Sequence, residues 1–206
     1  MSVRVVGGAF GGRRLDCPEG LSVRPMTARI KNAVFNILYG RVEGARVLDL
    51  YAGSGGLGVE ALSRGAGAAV FVERDPVHAK FLRQNLEKIG IEARVLEVEN
   101  QAALRTLAPE GMAFDLILAD PPFSKDPKVL PPEVFADLEA LATSPIWAPG
   151  GALVLEHRRG DPPLPQALSP LETDRRDYGD ATVRFFTRRL SPSPDPSARP
   201  PRSPGA

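Results

Sequence analysis

The chain has 206 residues, of which 43% are hydrophobic and 25% charged, and its 26 basic and 25 acidic residues leave a net charge of +1. These proportions are typical of a soluble globular protein with one principal domain. The single cysteine excludes an intrachain disulfide and a Cys-x-x-Cys redox pair. Because no apolar run approaches the roughly 20 residues of a membrane span, and the N-terminus lacks a signal-peptide pattern, we expect a cytoplasmic protein that binds no membrane.

Basic residues are concentrated at the N-terminal end of the chain. Among the first 41 residues, seven are Lys or Arg and two are Asp or Glu. Clustered arginines hold phosphates through forked, charge-assisted hydrogen bonds, although a block of this kind also fits an ordinary solvated face. The candidate phosphate-binding residues are Arg4, Arg13, Arg14, Arg24, Arg29 and Lys31.

The two ends of the chain differ from its middle. Over residues 1–20, two Gly-Gly pairs stand beside strand-like runs, which predicts a small β-hairpin extension. Beyond it, apolar residues at helical spacing between Thr27 and Gly40 predict an amphipathic helix. Residues 191–206 are rich in proline and serine and predict a disordered tail.

The middle of the chain, residues 21–190, repeats a short apolar strand, a turn and a helix. Strands without polar alternation are covered on both faces, which predicts parallel strands between two layers of helices. The last two strands have no helix between them and predict an antiparallel hairpin at the sheet edge. We therefore predict a doubly wound α/β domain with a mostly parallel, seven-stranded sheet. The predicted strands are Arg46–Leu50, Ala69–Glu73, Arg94–Val98, Asp115–Ala119, Ala152–Glu156, Leu168–Thr173 and Thr182–Leu190, and the predicted helices are Gly58–Arg64, Pro76–Ile89, Asn100–Leu107 and Pro132–Thr143.

A glycine-rich loop follows the first predicted strand of this sheet. Residues 51–58 carry a Gly-x-Gly-x-x-Gly pattern at a strand-to-helix turn, where glycines allow close approach of a ligand. Glu73, at the tip of the second strand, lies where an acid can accept hydrogen bonds from both hydroxyls of a ribose. The combination predicts a cofactor that contains ribose.

Asp49 separates the two cofactors that fit this pattern, NAD and S-adenosylmethionine. A carboxylate inside the first strand would repel an anionic pyrophosphate, whereas it would attract the cationic amino group of the methionine part. We therefore favour S-adenosylmethionine. In the alternative without a ligand, the loop is a tight turn and Asp49 caps local N–H groups.

The fourth predicted strand ends in Asp120-Pro121-Pro122-Phe123. Ligands of open parallel sheets bind at the carboxyl ends of the strands where the strand order reverses, and the first and fourth strands meet there. The prolines stiffen the turn and present carbonyl oxygens as acceptors. The Asp120 carboxylate and the Pro121 carbonyl would accept the hydrogens of an aryl amine and turn its lone pair towards a methyl donor. Phe123 would stack on the base.

Further motifs accompany the loop and the turn. They are Val5-Val6-Gly7-Gly8, Gly12-Arg13-Arg14-Leu15, Arg24-Pro25, Phe35-Asn36, the stretch from Tyr51 to Ala66, and Asp120–Phe123. Together they resemble the bacterial 16S ribosomal RNA guanine-N2 methyltransferase family (RsmD-like), within the class I S-adenosylmethionine-dependent methyltransferases. The resemblance covers about residues 3–190, and departures from the family's usual residues stand at Met26, Ala28 and Asn32.

The resemblance implies a Rossmann-like fold and a role for each part of the site. The implied catalytic residues, which bind a flipped guanine, are Asp120, Pro121, Pro122 and Phe123, and the implied cofactor-binding residues are Asp49, Tyr51, Ala52, Gly53, Ser54, Gly55, Gly58, Glu73, Arg74, Asn100 and Gln101. Asn100 would contact adenine, and the basic N-terminus would hold RNA. The implied partner is 16S rRNA or an assembling small ribosomal subunit, bound by a monomer.

Other function classes stay open. An NAD-dependent oxidoreductase would leave Asp49 and the Asp-Pro-Pro-Phe turn without a role, and a non-catalytic RNA-binding module would leave the cofactor pocket unused. Within the methyltransferases, the residues alone do not separate a guanine amine from a DNA adenine amine or a protein glutamine amide. The histidines, His78 and His157, have no carboxylate cluster at metal-ligand spacing beside them, so we expect no metal site.

Overall fold

The computed structural model describes residues 2–19, 26–160 and 162–190. The strands of these residues form two β-sheets. The smaller sheet pairs β1 (Ser2–Arg4) with β2 (Arg14–Asp16) in antiparallel orientation, as predicted for the N-terminal extension. Arg24 and the predicted tail over 191–206 lie outside the described residues.

The larger sheet has seven strands. They are β3 (Arg46–Leu50), β4 (Ala68–Val72), β5 (Arg94–Leu96), β6 (Phe114–Ala119), β7 (Trp147–Arg158), β8 (Glu172–Tyr178) and β9 (Ala181–Thr187), in the order β5-β4-β3-β6-β7-β9-β8. Strands β3 to β7 are parallel, and β9 pairs antiparallel with both β7 and β8. The strand order reverses between β3 and β6, which creates a crevice at their carboxyl ends. This confirms the predicted doubly wound sheet.

The described residues contain five α-helices, which connect the strands and cover the sheet. They are α1 (Ala28–Ile37), α2 (Gly58–Ser63), α3 (Pro76–Ile89), α4 (Asn100–Leu107) and α5 (Pro132–Thr143). Side chains of α1, α2 and α3 pack in one apolar cluster with alternate residues of β3 and β6, and side chains of α4 and α5 pack with the residues between them. Both faces are therefore buried, which explains the uninterrupted apolar strands.

Polar residues and glycine set the helix boundaries. Thr27 precedes α1, and its hydroxyl accepts a hydrogen bond from the N–H of Ile30 at 3.3 Å. The Asp75 carboxylate accepts one from the N–H of Val77 at 2.8 Å, in the first turn of α3. Helix α3 ends at Gly90, whose φ of 74° is a left-handed conformation that favours glycine.

The small N-terminal sheet is packed against the larger one. Val5 and Leu15 are buried in the same apolar cluster as α1, α2 and α3. Gly8, with a φ of +75°, approaches α2 so closely that a Cβ would lie 1.7 Å from the carbonyl oxygen of Ser63. The hairpin is thus fixed by contacts that a larger residue would break.

The C-terminal hairpin begins later than predicted. Leu168 is buried, but it precedes a 3-10 turn over Ser169–Leu171, and β8 begins at Glu172. Strand β8 is an edge strand, and its charged sequence ETDRRDY is of the kind that discourages pairing with other chains. Strand β8 therefore has no apolar pattern from which its position could have been predicted. Among the described residues, no helix has the length and apolar character needed to cross a membrane.

Candidate active site

The glycine loop and the Asp120 turn line one cavity of about 620 Å³ at the carboxyl ends of β3, β4 and β6. The structure thereby brings together most of the predicted site. The predicted residues on the cavity wall are Asp49, Tyr51, Ala52, Gly53, Ser54, Glu73, Arg74, Asn100, Asp120 and Pro122. Five predicted residues do not line this cavity, namely Gly55, Gly58, Gln101, Pro121 and Phe123. Of these, Pro121 and Phe123 line a second, much smaller pocket together with Pro122.

Two buried carboxylates hold the glycine loop. Asp49 accepts a 2.7 Å hydrogen bond from the N–H of Gly58, the first residue of α2. Glu73 accepts one from the N–H of Gly53 at 2.7 Å and one from the N–H of Asp75 at 2.8 Å. Burial raises the pKa of Asp49 to about 8, although the hydrogen bond from Gly58 opposes the shift. The protein's own carboxylates therefore set the shape of the loop.

These carboxylates also determine which charge a ligand can bring to the loop. In a dinucleotide site, the free N–H groups at a helix start bind the pyrophosphate. Here the N–H groups of Gly53 and Gly58 are bonded to carboxylates, which would repel that anion. An ammonium group and ribose hydroxyls would instead meet acceptors, because a carboxylate has about four lone-pair sites, more than these bonds use.

Two loop glycines are required by packing. A Cβ on Gly55 would lie 2.6 Å from the Leu82 side chain, and a Cβ on Gly58 would lie 2.3 Å from the Phe71 ring. Gly55 also has a φ of +92°, a conformation that favours glycine. These two glycines allow the loop to pack closely on α3 and β4.

Asp137 is a residue of the cavity wall that the sequence analysis missed. It lies in α5, and its Oδ2 accepts hydrogen bonds from the Tyr51 hydroxyl at 2.7 Å and from the Asn100 amide nitrogen at 2.9 Å. Asp137 shares the buried face of α5 with Val134 and Leu138. An acid at an apolar position of an amphipathic helix is the signal that could have identified it.

Asp120 directly follows β6 and faces the cavity. Its Oδ2 accepts a 3.1 Å hydrogen bond from the N–H of Met26. Burial raises the pKa of Asp120 to about 6, and hydrogen bonds with Met26 and Glu156 partly offset that shift. Pro121 is buried, whereas Phe123 is 37% exposed. The turn thus combines an acceptor inside the cavity with an aromatic ring that solvent reaches.

The predicted phosphate-binding residues divide into two groups. Arg4, Arg13, Arg14 and Arg29 are exposed on the N-terminal sheet and α1. Arg13 lies over the Phe10 ring, with 5.5 Å between its guanidinium carbon and the ring centroid. All four guanidinium groups can be reached from solvent, so contact with an RNA backbone stays a prediction for them.

The structure corrects the prediction for Lys31, which is only 1% exposed. Its Nζ donates to the carbonyl oxygens of Arg4 at 2.7 Å and Gly56 at 3.2 Å, and lies 3.5 Å from the Glu60 carboxylate. Burial lowers the pKa of Lys31, although Glu60 opposes the shift. Lys31 therefore joins β1 to the glycine loop and cannot contact an RNA backbone from this position.

In this molecule the last strand, β9, inserts antiparallel into an otherwise parallel sheet, and a glycine loop faces the turn after β6. Class I methyltransferases share this arrangement, and the molecule is one of them. The chain belongs to the family described as Conserved hypothetical protein 95, the RsmD family, whose profile matches residues 3–187. This confirms the resemblance inferred from the sequence motifs.

Individual relatives agree with the family assignment. The Bacillus subtilis protein YlbH is 33% identical over 190 residues, a match that covers 91% of this chain and 100% of that protein. The Escherichia coli protein named "Ribosomal RNA small subunit methyltransferase D" is 37% identical over 123 residues, and the match covers 60% of this chain and 61% of that protein. A Thermus thermophilus 16S rRNA N2 methyltransferase (RsmC), solved with AdoMet and guanosine, has the same fold, with a TM-score of 0.68, 24% identity and coverage of 92% of this chain and 50% of that one.

Proposed function

We propose that this chain transfers the methyl group of S-adenosylmethionine to the exocyclic N2 amine of a guanine in 16S ribosomal RNA. The observation that carries the proposal is that one cavity is lined by residues of both parts of the site. Asp120 and Pro122 of the turn line the same cavity as Asp49 and Glu73, which hold the glycine loop. An amine held at the turn would face a methyl donor held by the loop. The name of the Escherichia coli relative and the ligands of the Thermus structure support this choice.

The residues around the loop would bind the cofactor. S-adenosylmethionine supplies a methyl group on a sulfonium whose charge is lost as the methyl group leaves. Asp49 lies where its carboxylate can attract the ammonium group of the methionine part, and that cation would favour the charged form of an acid whose pKa burial raises to about 8. Glu73 can accept hydrogen bonds from the ribose. Asn100 lies further along the same wall, where its amide can meet the adenine.

Asp120 and Phe123 would position the guanine. The lone pair of an aryl amine is delocalised into its ring, so the amine is a poor nucleophile. The Asp120 carboxylate and the Pro121 carbonyl would accept hydrogen bonds from the two amine N–H groups, which turns the lone pair towards the methyl group. Once the methyl group has moved from sulfur to nitrogen, the amine carries the positive charge and would lose it as a proton, which the Asp120 carboxylate is placed to take and pass to solvent. Phe123 offers an accessible face on which the flipped base can stack.

The exposed arginines would contact the RNA backbone. Arg4, Arg13, Arg14 and Arg29 are accessible. Arg29 shares α1 with Lys31, which bonds to the carbonyl oxygens of Arg4 in β1 and Gly56 in the glycine loop. RNA phosphates held by these arginines would approach the cavity from the side of the N-terminal sheet. We propose that the protein is a monomeric, cytoplasmic enzyme that acts on 16S rRNA or on an assembling small subunit.

Mass spectrometry of 16S rRNA tests the proposal. A strain that lacks this protein should lose one N2-methylguanine, and the parent chain should restore it. The variant Asp120→Ala should not restore it, whereas Asp126→Ala, which removes an exposed acid from the following loop, should. An unchanged set of N2-methylguanines would refute the guanine assignment, and a simultaneous loss of methyladenine from DNA or of methylglutamine from protein would identify the alternative substrate.

A further inference from the structure

Three polar side chains from separate elements meet at one end of the cavity. Tyr51 comes from the loop after β3, Asn100 begins α4, and Asp137 lies in the middle of α5. A single carboxylate oxygen, Oδ2 of Asp137, accepts from both the Tyr51 hydroxyl and the Asn100 amide nitrogen, at 2.7 and 2.9 Å. Helix α5 is thereby linked to two residues of the predicted cofactor site.

The position of Asp137 is costly for a charged group. Its side chain is 8% exposed, and the neighbouring residues on that face, Val134, Leu138 and Leu141, are completely or almost completely buried. Burial of a carboxylate lowers stability unless hydrogen bonds compensate for the lost water. The two bonds to Tyr51 and Asn100 provide that compensation, so the three side chains form one hydrogen-bonded unit.

The unit fixes the orientation of the Asn100 amide. A carboxylate can only accept hydrogen bonds, so the NH₂ end of the amide must face Asp137. The oxygen end of the amide is then the group available to a ligand in the cavity that Asn100 lines. An acceptor at this point favours a ligand edge with an N–H donor and disfavours one with a carbonyl oxygen.

We propose that Asp137 is a positioning residue that makes the cofactor pocket selective for a 6-amino purine over a 6-keto purine, by holding the Asn100 amide with its oxygen towards the ligand. This inference rests on the proposed S-adenosylmethionine site. The residue that would touch the purine is Asn100, and Asp137 acts through it. The Tyr51 hydroxyl donates to the same carboxylate and is also hydrogen-bonded to the Asn100 side chain.

Calorimetric dissociation constants for S-adenosylhomocysteine and S-inosylhomocysteine test the proposal, because the two ligands differ at purine position 6. In the parent chain, we expect the adenosyl compound to bind more tightly. Asp137→Asn places both a donor and an acceptor beside Asn100, so the amide can turn over and meet the keto group. The ratio of the two constants should then fall by about five- to tenfold, the effect of one hydrogen bond.

A matched variant separates the orientation of the amide from a general disturbance of the pocket. Glu133→Gln removes an acid from the same helix and the same wall, one turn earlier, and should leave the ratio within about twofold of the parent value.

A second route keeps the proposal testable if Asp137→Asn does not fold. Asn100→Ala should lower the ratio by the same factor, because it removes the acceptor that Asp137 orients. An unchanged ratio in Asp137→Asn or Asn100→Ala, with both affinities reduced equally, would overturn the inference and leave the proposed function standing. If the parent chain binds neither ligand, the proposed function fails and the inference fails with it.

Discussion

The glycine loop over 51–58 and the turn over 120–123 line the same cavity but are held in different ways. Two buried carboxylates bond the loop's N–H groups, and its glycines pack against α3 and β4. In the turn, Asp120 is hydrogen-bonded to the N–H of Met26 and to Glu156, and the aromatic residue reaches solvent. The loop is therefore shaped before a ligand arrives, whereas the turn retains an acceptor for a substrate. Mutations in the two regions should consequently affect different steps.

The largest effect is expected from Asp120→Ala. It removes the acceptor for the amine hydrogens, which matters most in the transition state, so turnover should fall by about 10²-fold or more. Cofactor affinity should change little, because the loop carboxylates are intact. Single-turnover methylation and calorimetry separate the two quantities. Near-parental turnover would show that the Asp-Pro-Pro-Phe turn is only structural.

The reverse pattern is expected from Glu73→Ala. This variant removes an acceptor for the ribose and also releases the N–H of Gly53, so S-adenosylmethionine affinity should fall at least about tenfold. Affinity for RNA should stay the same. The control is Glu99→Ala, which removes an exposed acid from the same cavity wall and should alter the affinity by less than about twofold. Equal losses in both variants would contradict a specific ribose contact.

The pH dependence of turnover should reflect the ionisation of Asp120 in the turn. Because burial raises the pKa of Asp120 to about 6, its carboxyl group is protonated below that pH and loses its role as an acceptor. At saturating cofactor, turnover should be flat above about pH 7 and should fall about tenfold per pH unit below about pH 6. Single-turnover rates measured from about pH 5 to about pH 8 test this. A midpoint near the ordinary aspartate value of about 4 would be inconsistent with the environment of Asp120.

The smallest effect concerns the outer surface of the N-terminal sheet. If Arg13 contacts an RNA phosphate, Arg13→Ala should flatten the salt dependence of RNA binding by roughly 0.7–0.9 of a unit. Arg41→Ala removes an equally exposed arginine that lies beyond α1 and should leave the slope unchanged. Identical slopes for both variants and the parent chain would assign the basic block to ordinary solvated surface.

The sequence was sufficient for the features that depend on local patterns. Apolar runs identified the parallel strands because both faces of the sheet are covered, and the loop and the turn were recognisable because they directly follow β3 and β6. Lys31 and Asp137 were misread or missed because their roles depend on contacts with residues far away in the chain. The bond from Lys31 to Gly56 and that from Asn100 to Asp137 exist only once the helices have packed.

The bonds between the N-terminal sheet and the glycine loop limit how the two can be exchanged between relatives. The amide nitrogen of Asn85 donates to the carbonyl oxygens of Asp16 in β2 and Ser54 in the loop, while Lys31 joins Arg4 to Gly56. A hairpin grafted from another protein would have to present carbonyl oxygens at both places, or a buried amide and a buried ammonium group would each lose one hydrogen-bond partner. The hairpin and the loop are therefore physically coupled, and a chimaera that exchanges one should also exchange the other.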